Sequence, residues 1–348
     1  MKALQVTGHG KPSEALVIVD IEQPTPGPGE VCIRVATASL NFNDIDRCYG
    51  RVTSVPLTLP FTLGMDVCGE VVAAGEGATA WLGQKVVAIT RQAQGGLAEY
   101  AIANAEAIFS IPEGLSDAEA VAFIMPFHTM YLALVRRAKM RAGDTVVIHA
   151  GASGLGLAGI QIAKAKGARV IATVGSDTKI AVCQAAGADE VINYREMDFA
   201  DAVLKATNEK GAEIVCDLVG GDDVVSKSWQ CVAGEGSYVM VGFTDDEENG
   251  FTKRALRPAC AANFSIVGVM MAWGSPPIPE IRRFGFSLFS RSVAEQVHAE
   301  LSELFAAGQL RVNIGQEIKL SDVGNVLEQH ERRETSGKSV VTEFNWDV

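Results

Sequence analysis

The 348-residue sequence lacks the long apolar segments of membrane and secreted proteins. No apolar run reaches the length of about 20 residues that a bilayer-spanning helix needs. The first ten residues, MKALQVTGHG, contain no apolar stretch of the kind found in secretory signals. The sequence therefore predicts a cytoplasmic protein without a membrane partner.

Basic residues and patterned cysteines are also scarce. Lysine and arginine together number 30 against 42 acidic residues, so the formal net charge is −12. A nucleic-acid-binding protein needs a basic face, and this balance predicts no nucleic-acid partner. The seven cysteines form neither a C-x-x-C pair nor a disulfide framework, which favours reduced thiols in a cytosolic protein.

What the sequence does contain is a glycine-rich turn within Asp144–Ala165. An apolar run rich in valine and isoleucine, Thr145–Ala150, predicts a buried parallel strand before the turn, and small residues after the turn predict a helix. A strand, a tight glycine turn and a helix N-terminus together form a phosphate cradle, because backbone N–H groups point toward the anion. The segment therefore predicts a dinucleotide-binding site.

Two registers of the dinucleotide fingerprint fit this turn. A literal G-x-G-x-x-G lies at Gly154–Gly159, but it begins four residues after the predicted strand. The fingerprint needs its first glycine directly after the strand, which favours Gly151 at the first position, Ser153 at the middle one and Gly156 at the last. The residues predicted to contact the pyrophosphate are Gly151, Ala152, Ser153, Gly154, Leu155 and Gly156.

The end of the next strand indicates which dinucleotide is bound. In NAD-binding proteins an acidic residue there bonds the ribose 2′-hydroxyl, but Gly175 follows the predicted strand Ala168–Val174. Ser176 and Lys179 come next, and they can meet a 2′-phosphate through a hydroxyl and a positive charge. Asp177 would repel that phosphate, and Ser176 also fits an ordinary helix cap. The empty acidic position favours NADPH as the cofactor.

Patterns on either side of the turn predict two domains. Residues 1–122 contain short strands separated by glycine and proline turns, which predicts a compact, partly open barrel with a polar loop at 39–44. Ser116–Glu119 fits a capping box that opens a helix, and 129–138 predicts a second helix. From residue 145 onward strands and helices alternate, which predicts a doubly wound parallel sheet.

With these features the chain resembles the zinc-independent quinone oxidoreductases, the zeta-crystallin-like branch of the medium-chain dehydrogenase/reductase superfamily. The resemblance covers nearly the whole chain. It rests on PGPGEV at 26–31, LNFND at 40–44, GMDVCGEV at 64–71, GGLAEYA at 95–101, HAGASGLGLAGIQIAKAKGA at 149–168, VINYRE at 191–196, SIVGV at 265–269 and ETSGKSVV at 334–341. It implies an α/β fold with a GroES-like β-rich catalytic domain at 1–122 and 291–348, and a Rossmann NADP-binding domain, a doubly wound parallel sheet, at 123–290.

The resemblance also implies roles at the adenosine end of the cofactor. Lys179 and Arg333 correspond to the pair that binds the 2′-phosphate, and Arg332 is the neighbouring alternative to Arg333. Tyr194 resembles the tyrosine that packs near the adenosine.

Further roles are implied at the nicotinamide end. Thr129 corresponds to the threonine on the nicotinamide side, and Gly242 and Phe243 follow the strand whose end flanks the ring. Asn41 and Asp44 resemble the polar residues that line the cleft beside the hydride-donating carbon.

The zinc ligands of the alcohol-dehydrogenase branch are replaced in this chain. That branch has a zinc-binding cysteine in the loop that corresponds to 40–44, and a zinc-binding histidine where this chain has Met65. Its four-cysteine lobe would interrupt 92–96, which contains no cysteine. Three other possible ligands lie close together in the sequence: Cys48, Asp66 and Cys68. No histidine lies near them and cysteine is usually buried, so the sequence predicts no metal site.

These features predict hydride transfer from NADPH to a quinone or another activated carbonyl. The protein then mainly positions the reactants, because the cofactor carries the chemistry and a quinone can take its protons from water. Asn41 can donate a hydrogen bond to the developing oxyanion. Asp44 either orients that amide or caps a turn.

One alternative is reduction of an α,β-unsaturated carbonyl, such as an alkenal or an enoyl thioester, which benefits from an acid placed at the α-carbon. Tyr49 is the candidate donor, although an aromatic residue that merely covers the cleft is the simpler explanation. Arg47, Arg51 and Arg91 could attract a charged tail such as that of coenzyme A.

A second alternative is a non-catalytic, crystallin-like structural or NADPH-binding protein. Relatives of zeta-crystallin can serve as abundant structural proteins, and an intact phosphate turn argues against a purely structural role. The resemblance also suggests a homodimer, in which Val267 and its neighbours on the last predicted strand pair with a second copy.

Overall fold

The computed structural model describes residues 1–51, 57–244, 256–275, 282–283 and 285–346. The chain divides into two units. Unit 1 contains Met1–Met125, Ala272–Ser302 and Val312–Val348, and unit 2 contains Pro126–Met271 and Glu303–Arg311.

The strands and helices are labelled in chain order. The strands are β1 (Lys2–Val6), β2 (Leu16–Asp20), β3 (Glu30–Ser39), β4 (Phe61–Thr62), β5 (Asp66–Ala74), β6 (Lys85–Thr90), β7 (Tyr100–Ser110), β8 (Thr145–Ile148), β9 (Arg169–Val174), β10 (Glu190–Asn193), β11 (Ala212–Asp217), β12 (Val232–Met240), β13 (Ser265–Gly268), β14 (Ile314–Lys319) and β15 (Lys338–Glu343). The helices are α1 (Pro12–Ala15), α2 (Phe42–Tyr49), α3 (Asp117–Tyr131), α4 (Gly154–Ala165), α5 (Ile180–Ala185), α6 (Phe199–Ala206), α7 (Asp222–Gln230), α8 (Arg257–Ala262), α9 (Arg291–Ala306) and α10 (Val323–Glu331).

Unit 1 is built on a sheet that closes on itself. The strand order is β14-β15-β3-β5-β6-β7, and β3 also pairs with β7, so β3, β5, β6 and β7 form a closed barrel. Inward-facing side chains such as Val31, Ile33, Val67 and Val86 are fully buried, as expected when β-branched residues alternate along half-buried strands. The predicted barrel is confirmed, but it is closed and not partly open.

Unit 2 contains a six-stranded parallel sheet with the order β10-β9-β8-β11-β12-β13. Strand β8 is flanked by β9 and by β11, so the winding of the chain reverses beside β8. This order is that of the doubly wound dinucleotide fold, in which ligands bind at the carboxyl ends of the strands near the reversal. The predicted doubly wound sheet is confirmed, and the glycine turn follows β8 as expected.

The helix that opens at the predicted capping box is longer than expected. The Ser116 backbone N–H donates to Glu119 Oε2 at 2.9 Å, and the Glu119 N–H donates to Ser116 Oγ at 3.3 Å. Helix α3 then continues through Pro126 to Tyr131, and π-helical turns follow at Leu132–Arg137. The prediction of two separate helices is therefore wrong. Packing of a mostly buried helix compensates for the backbone hydrogen bond that a proline cannot donate.

By length and composition, Asp117–Arg137 could cross a bilayer, but most of it is buried inside the protein, as in an ordinary core helix.

The polar loop predicted at 39–44 is also wrong. Strand β3 extends to Ser39 and helix α2 begins at Phe42, so only Leu40 and Asn41 connect them.

Helix α10 was not predicted from the sequence. Contacts from α1 and α2 stabilise it in unit 1, and such tertiary contacts are not visible in a local pattern.

Candidate active site

The phosphate turn has the geometry expected of a helix N-terminus that binds an anion. Strand β8 ends at Ile148 and helix α4 begins at Gly154. Ser153 is the N-cap residue, and its Oγ accepts a hydrogen bond from the Gly156 N–H at 3.0 Å. Serine is among the preferred caps, because its oxygen satisfies an N–H that has no partner within the helix.

Gly156 lies where helix α4 packs most tightly against the turn. A Cβ at this position would lie 2.5 Å from the Gly151 carbonyl oxygen and closer still to that of Ala150. This is the contact that the last glycine of the fingerprint makes possible. Gly159, the last glycine of the literal motif, lies inside the helix and faces the side chain of Met130. The geometry therefore favours the register that starts at Gly151.

The end of β9 is where the ribose of a dinucleotide is expected. A Cβ at Gly175 would lie 2.6 Å from the Tyr194 hydroxyl, so these two predicted residues are neighbours. Asp177 Oδ1 accepts a hydrogen bond from Asn193 Nδ2 at 2.9 Å, which holds the carboxylate against the end of β10. Lys179 ends the short 3₁₀ turn Asp177–Lys179.

The predicted nicotinamide-side residues of unit 2 lie on two elements. Thr129 is buried in α3, whereas Phe243 is 55% exposed after the end of β12. Gly242 packs directly against the Leu218 carbonyl, so no side chain fits there. The N–H groups of Val241 and Gly242 both donate to the Asp217 carbonyl, at 2.9 and 3.1 Å.

Asp217 is a residue that sequence reasoning missed. Its Oδ1 accepts from the N–H groups of Val219 and Gly220, at 2.8 and 2.9 Å, and its Oδ2 accepts from the Tyr238 hydroxyl at 2.5 Å. The buried carboxylate thus fixes the turn after β11 at the carboxyl edge of the sheet. A carboxylate that ends an apolar strand, in AEIVCD, was the available signal.

His149 is a second missed residue, although it opens the glycine-turn motif. Its Nδ1 lies 2.9 Å from Thr173 Oγ1 and its Nε2 lies 2.9 Å from Ser228 Oγ. Burial lowers the pKa of this imidazole, so the ring is neutral at pH 7 and crosslinks β8, β9 and α7.

In unit 1 the predicted residues Asn41 and Asp44 lie at the start of α2. Asp44 Oδ2 accepts a hydrogen bond from the Asn41 backbone N–H at 2.8 Å, and the Asp44 N–H donates to the Asn41 carbonyl at 3.0 Å. Of the two roles considered for Asp44, the structure shows the cap. The spacing Asn-x-x-Asp, which resembles a capping box, was the signal for this helix.

Two residues that were not predicted for this role hold the Asn41 amide. Its Nδ2 donates to Asp66 Oδ1 at 2.8 Å, and its Oδ1 accepts from Lys338 Nζ at 2.8 Å. Asp66 Oδ2 also accepts from the Ser39 hydroxyl at 2.6 Å, and Lys338 Nζ also donates to the Leu40 carbonyl at 2.7 Å. Asn41 itself is half-buried, and both ends of its amide are held by buried partners.

The charges beneath Asn41 are almost fully removed from water. Asp44 and Asp66 are 0% exposed, Arg47 4% and Lys338 8%. Burial raises the pKa of Asp44 to about 6, although nearby Arg47 opposes the shift. Burial likewise raises the pKa of Asp66 and lowers that of Lys338. Two carboxylates and two cations form the group, so opposite charges compensate for part of the desolvation.

The raised pKa of Asp44 predicts a pH-dependent stability. Between about pH 4 and pH 6 the folded chain keeps this proton while the unfolded chain loses it, so the free energy of unfolding falls as the pH rises. Asp44→Asn removes this contribution. We expect the free energy of unfolding of the variant, relative to wild type, to rise by about 2–3 kcal/mol between pH 4 and pH 6. Chemical denaturation at each pH measures it.

The informative quantity is the difference in the free energy of unfolding between Asp44→Asn and wild type at each pH. Burial lowers the pKa of His298 and of His330 to about 4, and these groups add stability as the pH rises. Their contribution is common to both proteins and cancels. A difference that stays constant from pH 4 to pH 6 would contradict the raised pKa of Asp44.

Tyr49, the candidate proton donor, lies at the other end of α2, about 12 Å along the helix from Asn41 at 1.5 Å per residue. Its hydroxyl donates to Glu331 Oε2 at 2.9 Å, and the Arg51 guanidinium lies 4.4 Å from its ring centre. Burial and the bond to Glu331 raise the pKa of this phenol. The structure therefore does not bring Tyr49 together with Asn41.

The arginines considered for a charged substrate tail all have partners. Arg47 is buried and donates to the Ala93 carbonyl. Arg51 lies 3.2 Å from Glu331 and 3.3 Å from Asp46, and Arg91 lies 3.2 Å from Glu30.

Arg332 and Arg333 follow helix α10 in unit 1. Arg332 lies 3.1 Å from Glu334 and 3.8 Å from Glu328. Arg333 adopts a left-handed backbone conformation with a φ of 60° directly after the end of α10.

The possible metal ligands named from the sequence are unfavourable ones. Burial raises the pKa of Cys48 and of Cys68 to about 12, whereas zinc binds the thiolate. Within the described parts of the chain, no three His, Cys, Asp or Glu side chains are grouped so that they could hold a metal ion.

Comparison with known proteins agrees with this architecture. The family model of the alcohol dehydrogenase GroES-like domain matches residues 27–113, and that of the zinc-binding dehydrogenase matches residues 154–284. Human quinone oxidoreductase is 31% identical over 271 residues, which are 78% of this chain and 80% of the human protein. The chain belongs to the quinone oxidoreductase branch of the medium-chain dehydrogenase/reductase superfamily.

Solved structures of this superfamily extend the comparison. A mycobacterial protein in complex with NADPH is 29% identical, covers 98% of this chain and 99% of its own, and superposes with a TM-score of 0.83. The JamJ enoyl reductase is 24% identical over 99% of each chain with a TM-score of 0.83. That second likeness shows the shared fold alone.

The residues of this family member fit NADPH. No Cβ fits at Gly156 against the turn, or at Gly175 beneath the Tyr194 hydroxyl, and no carboxylate occupies position 175. The N-terminus of α4 would hold the pyrophosphate through its backbone N–H groups. Ser176 and Lys179 would hold the 2′-phosphate.

Proposed function

We propose that this NADPH-dependent oxidoreductase reduces a quinone or a similarly activated conjugated carbonyl. The Asn41 amide carries the proposal. It is half-buried, and its orientation is fixed by Asp66 and Lys338. An oriented N–H donor stabilises the negative charge that develops on a carbonyl oxygen as a hydride arrives at the conjugated system.

NADPH supplies the hydride when it is bound. The chain contributes position and charge stabilisation: the Gly151–Gly156 turn anchors the pyrophosphate, and Asn41 donates to the oxygen of the substrate. The hydroquinone oxygens can take their protons from water, so the reaction needs no protein acid. Human quinone oxidoreductase, by its name, acts on the same substrate class.

Reduction of an enone or an enoyl thioester is the alternative, and it needs a proton at the α-carbon. The candidate donor, Tyr49, already donates its hydroxyl proton to Glu331, and Arg47, Arg51 and Arg91 have partners within unit 1. These contacts favour the quinone over a thioester with a charged tail.

Parallel assays of NADPH oxidation with 1,4-benzoquinone and with crotonyl-CoA test the proposal. We expect turnover with the quinone, a loss of about 100-fold in kcat for Asn41→Ala, and no change for Tyr49→Phe. Turnover of crotonyl-CoA alone, lost in Tyr49→Phe, would favour the enoyl reductase. If neither substrate is reduced and NADPH does not bind, a non-catalytic, crystallin-like role remains.

The cofactor preference has its own prediction. Lys179→Ala and Arg333→Ala should each lower the preference for NADPH over NADH by about tenfold or more, because a bond between charged groups contributes about 1.5–3 kcal/mol. Arg332→Ala is the matched control, since Arg332 pairs with Glu328 and Glu334. A shift in Arg332→Ala with none in Arg333→Ala would assign the phosphate contact to Arg332 instead. The measurement is kcat/KM with each cofactor.

We also propose that the protein is a homodimer. Among the described residues, strand β13 is an edge of the parallel sheet in unit 2, and an edge strand can bond to the same strand of a second copy. Light scattering that gives the mass of one chain at micromolar concentration would refute this.

A further inference from the structure

We propose that Asp66 and Lys338 are positioning residues that fix which way round the Asn41 amide points, so that its second N–H, which has only a long contact, can donate to a substrate oxygen. The contacts are properties of unit 1 alone. The catalytic consequence rests on the proposed function.

The pair determines the orientation because its members have opposite hydrogen-bonding capacity. A lysine ammonium can only donate and an ionised carboxylate can only accept. Lys338 Nζ therefore has to face the Asn41 oxygen, and Asp66 Oδ1 has to face the nitrogen, each at 2.8 Å. The flipped amide would place its NH₂ group against the ammonium and its oxygen against the carboxylate, so both contacts would become repulsive.

Each member of the pair is itself anchored. Lys338 Nζ donates to the Leu40 carbonyl at 2.7 Å, one residue before Asn41. Asp66 Oδ2 accepts from the fully buried Ser39 hydroxyl at 2.6 Å. These bonds connect the starts of β5 and β15 to the end of β3, so the amide is supported by the barrel and not by a flexible loop.

One amide hydrogen is left over. The Asn41 Nδ2 has two hydrogens, and the bond to Asp66 uses one of them. Among the described residues, the second has the Ser39 carbonyl at 3.5 Å as its one partner, which is long for a hydrogen bond. Because the first hydrogen is committed to Asp66, the second is the one that we assign to the substrate oxygen.

A neutral pair of partners could satisfy the same amide at a lower cost. Burying an ion pair is expensive, and apolar replacements are often at least as stable. The benefit of the charges is a large energy difference between the two amide orientations. Neutral groups that can both donate and accept would tolerate either orientation, so the difference would be smaller.

An exchange of the side chains at positions 41 and 66 distinguishes an effect on positioning from an effect on folding. In Asn41→Asp/Asp66→Asn the carboxylate and the amide trade places. Lys338 still donates to an oxygen at 41, the new amide at 66 still donates to that carboxylate, and Ser39 still donates to position 66. The buried charge is unchanged, but position 41 no longer carries an N–H donor.

We expect the exchange variant to unfold at a temperature close to that of wild type and to bind NADPH equally well. Its kcat should fall about 100-fold with whichever of 1,4-benzoquinone and crotonyl-CoA wild type reduces faster. The single variant Asn41→Asp places two carboxylates in contact and should unfold at a lower temperature than the exchange variant. Asp66→Asn keeps an acceptor for the amide and should retain more activity than the exchange variant. Wild-type kcat in the exchange variant would overturn the proposal.

NMR of the Asn41 side-chain amide tests its orientation independently of activity. In protein labelled with ¹⁵N-asparagine, the Asn41 side-chain amide is identified by its loss in Asn41→Asp. We expect its two protons to be well separated, one shifted downfield by the carboxylate, and the shift to decrease in Asp66→Asn. Two nearly equivalent protons in wild type would show that the amide is not held, and would overturn the proposal even if neither substrate in the parallel assays is reduced.

Discussion

Lys338→Met is expected to lower the free energy of unfolding by about 3–5 kcal/mol, because it removes one partner from a buried group of charges. The ammonium lies among Asp44, Asp66 and the Asn41 oxygen, and it is 8% exposed. Methionine fills a similar volume but cannot donate. The substitution leaves Arg47 4.0 Å from Asp44 but removes the Lys338 charge that opposes the raised pKa of Asp66. Urea denaturation gives the value.

Two further variants show whether the loss comes from the unpaired charge. Lys338→Met/Asp66→Asn removes the facing carboxylate too, and should recover a large part of the stability. Lys2→Met is the matched control for the substitution itself, because Lys2 forms an exposed pair with Asp20 at 3.0 Å. Such pairs contribute about 1 kcal/mol or less. If Lys338→Met costs no more than Lys2→Met, the buried group is not electrostatically coupled.

The doubly wound half of the molecule could be predicted from the sequence because its signals are local. Most strands of unit 2 are short apolar runs followed by a helical pattern, and the strand predicted at Ala168–Val174 is β9, Arg169–Val174. The glycine turn needed one additional argument, the distance from the strand end to the first glycine. The selected register has Ser153 at the middle position of the fingerprint, and in the structure Ser153 is the N-cap of α4.

The surroundings of Asn41 could not be predicted, because they come from remote parts of the chain. Lys338 lies 297 residues from Asn41 and reaches it because β15 pairs with β3. Asp66 reaches it because β5 pairs with β3 on the other side. Read locally, Asp66 was considered only as a ligand of a metal site that the sequence predicts to be absent, and Lys338 was part of the matched segment ETSGKSVV. A lysine that opens an apolar strand, in KSVV, was the available clue.

For Tyr49, a role that the local sequence suggested is opposed by a contact with a remote part of the chain. Its sequence context suggested a proton donor, and nothing local indicates that Glu331 of helix α10 accepts its hydroxyl proton. Helix α10 itself was missed, so its contacts could not be anticipated. A residue type therefore indicates what chemistry is possible, and the tertiary partners determine which of its hydrogens is available.

Gly156→Ala is expected to weaken NADPH binding at least tenfold, a change of about 1.4 kcal/mol or more in binding free energy. The added methyl group meets the carbonyl oxygens of Ala150 and Gly151. These are backbone atoms and cannot rotate away, so helix α4 has to move from the turn. The N–H groups at its N-terminus then no longer point at the site of the pyrophosphate. Fluorescence titration of NADPH measures the loss.

Gly159→Ala is the matched control, one turn further along the same helix. There the methyl group meets Met130 Cε at 2.5 Å, the end of a flexible side chain that can move aside. Replacing glycine by alanine within a helix also adds up to about 1 kcal/mol of stability. Gly159→Ala should therefore bind NADPH like wild type. If Gly159→Ala loses affinity and Gly156→Ala keeps it, the literal motif at Gly154–Gly159 is the functional register, because its last glycine would then be the one that helix packing requires.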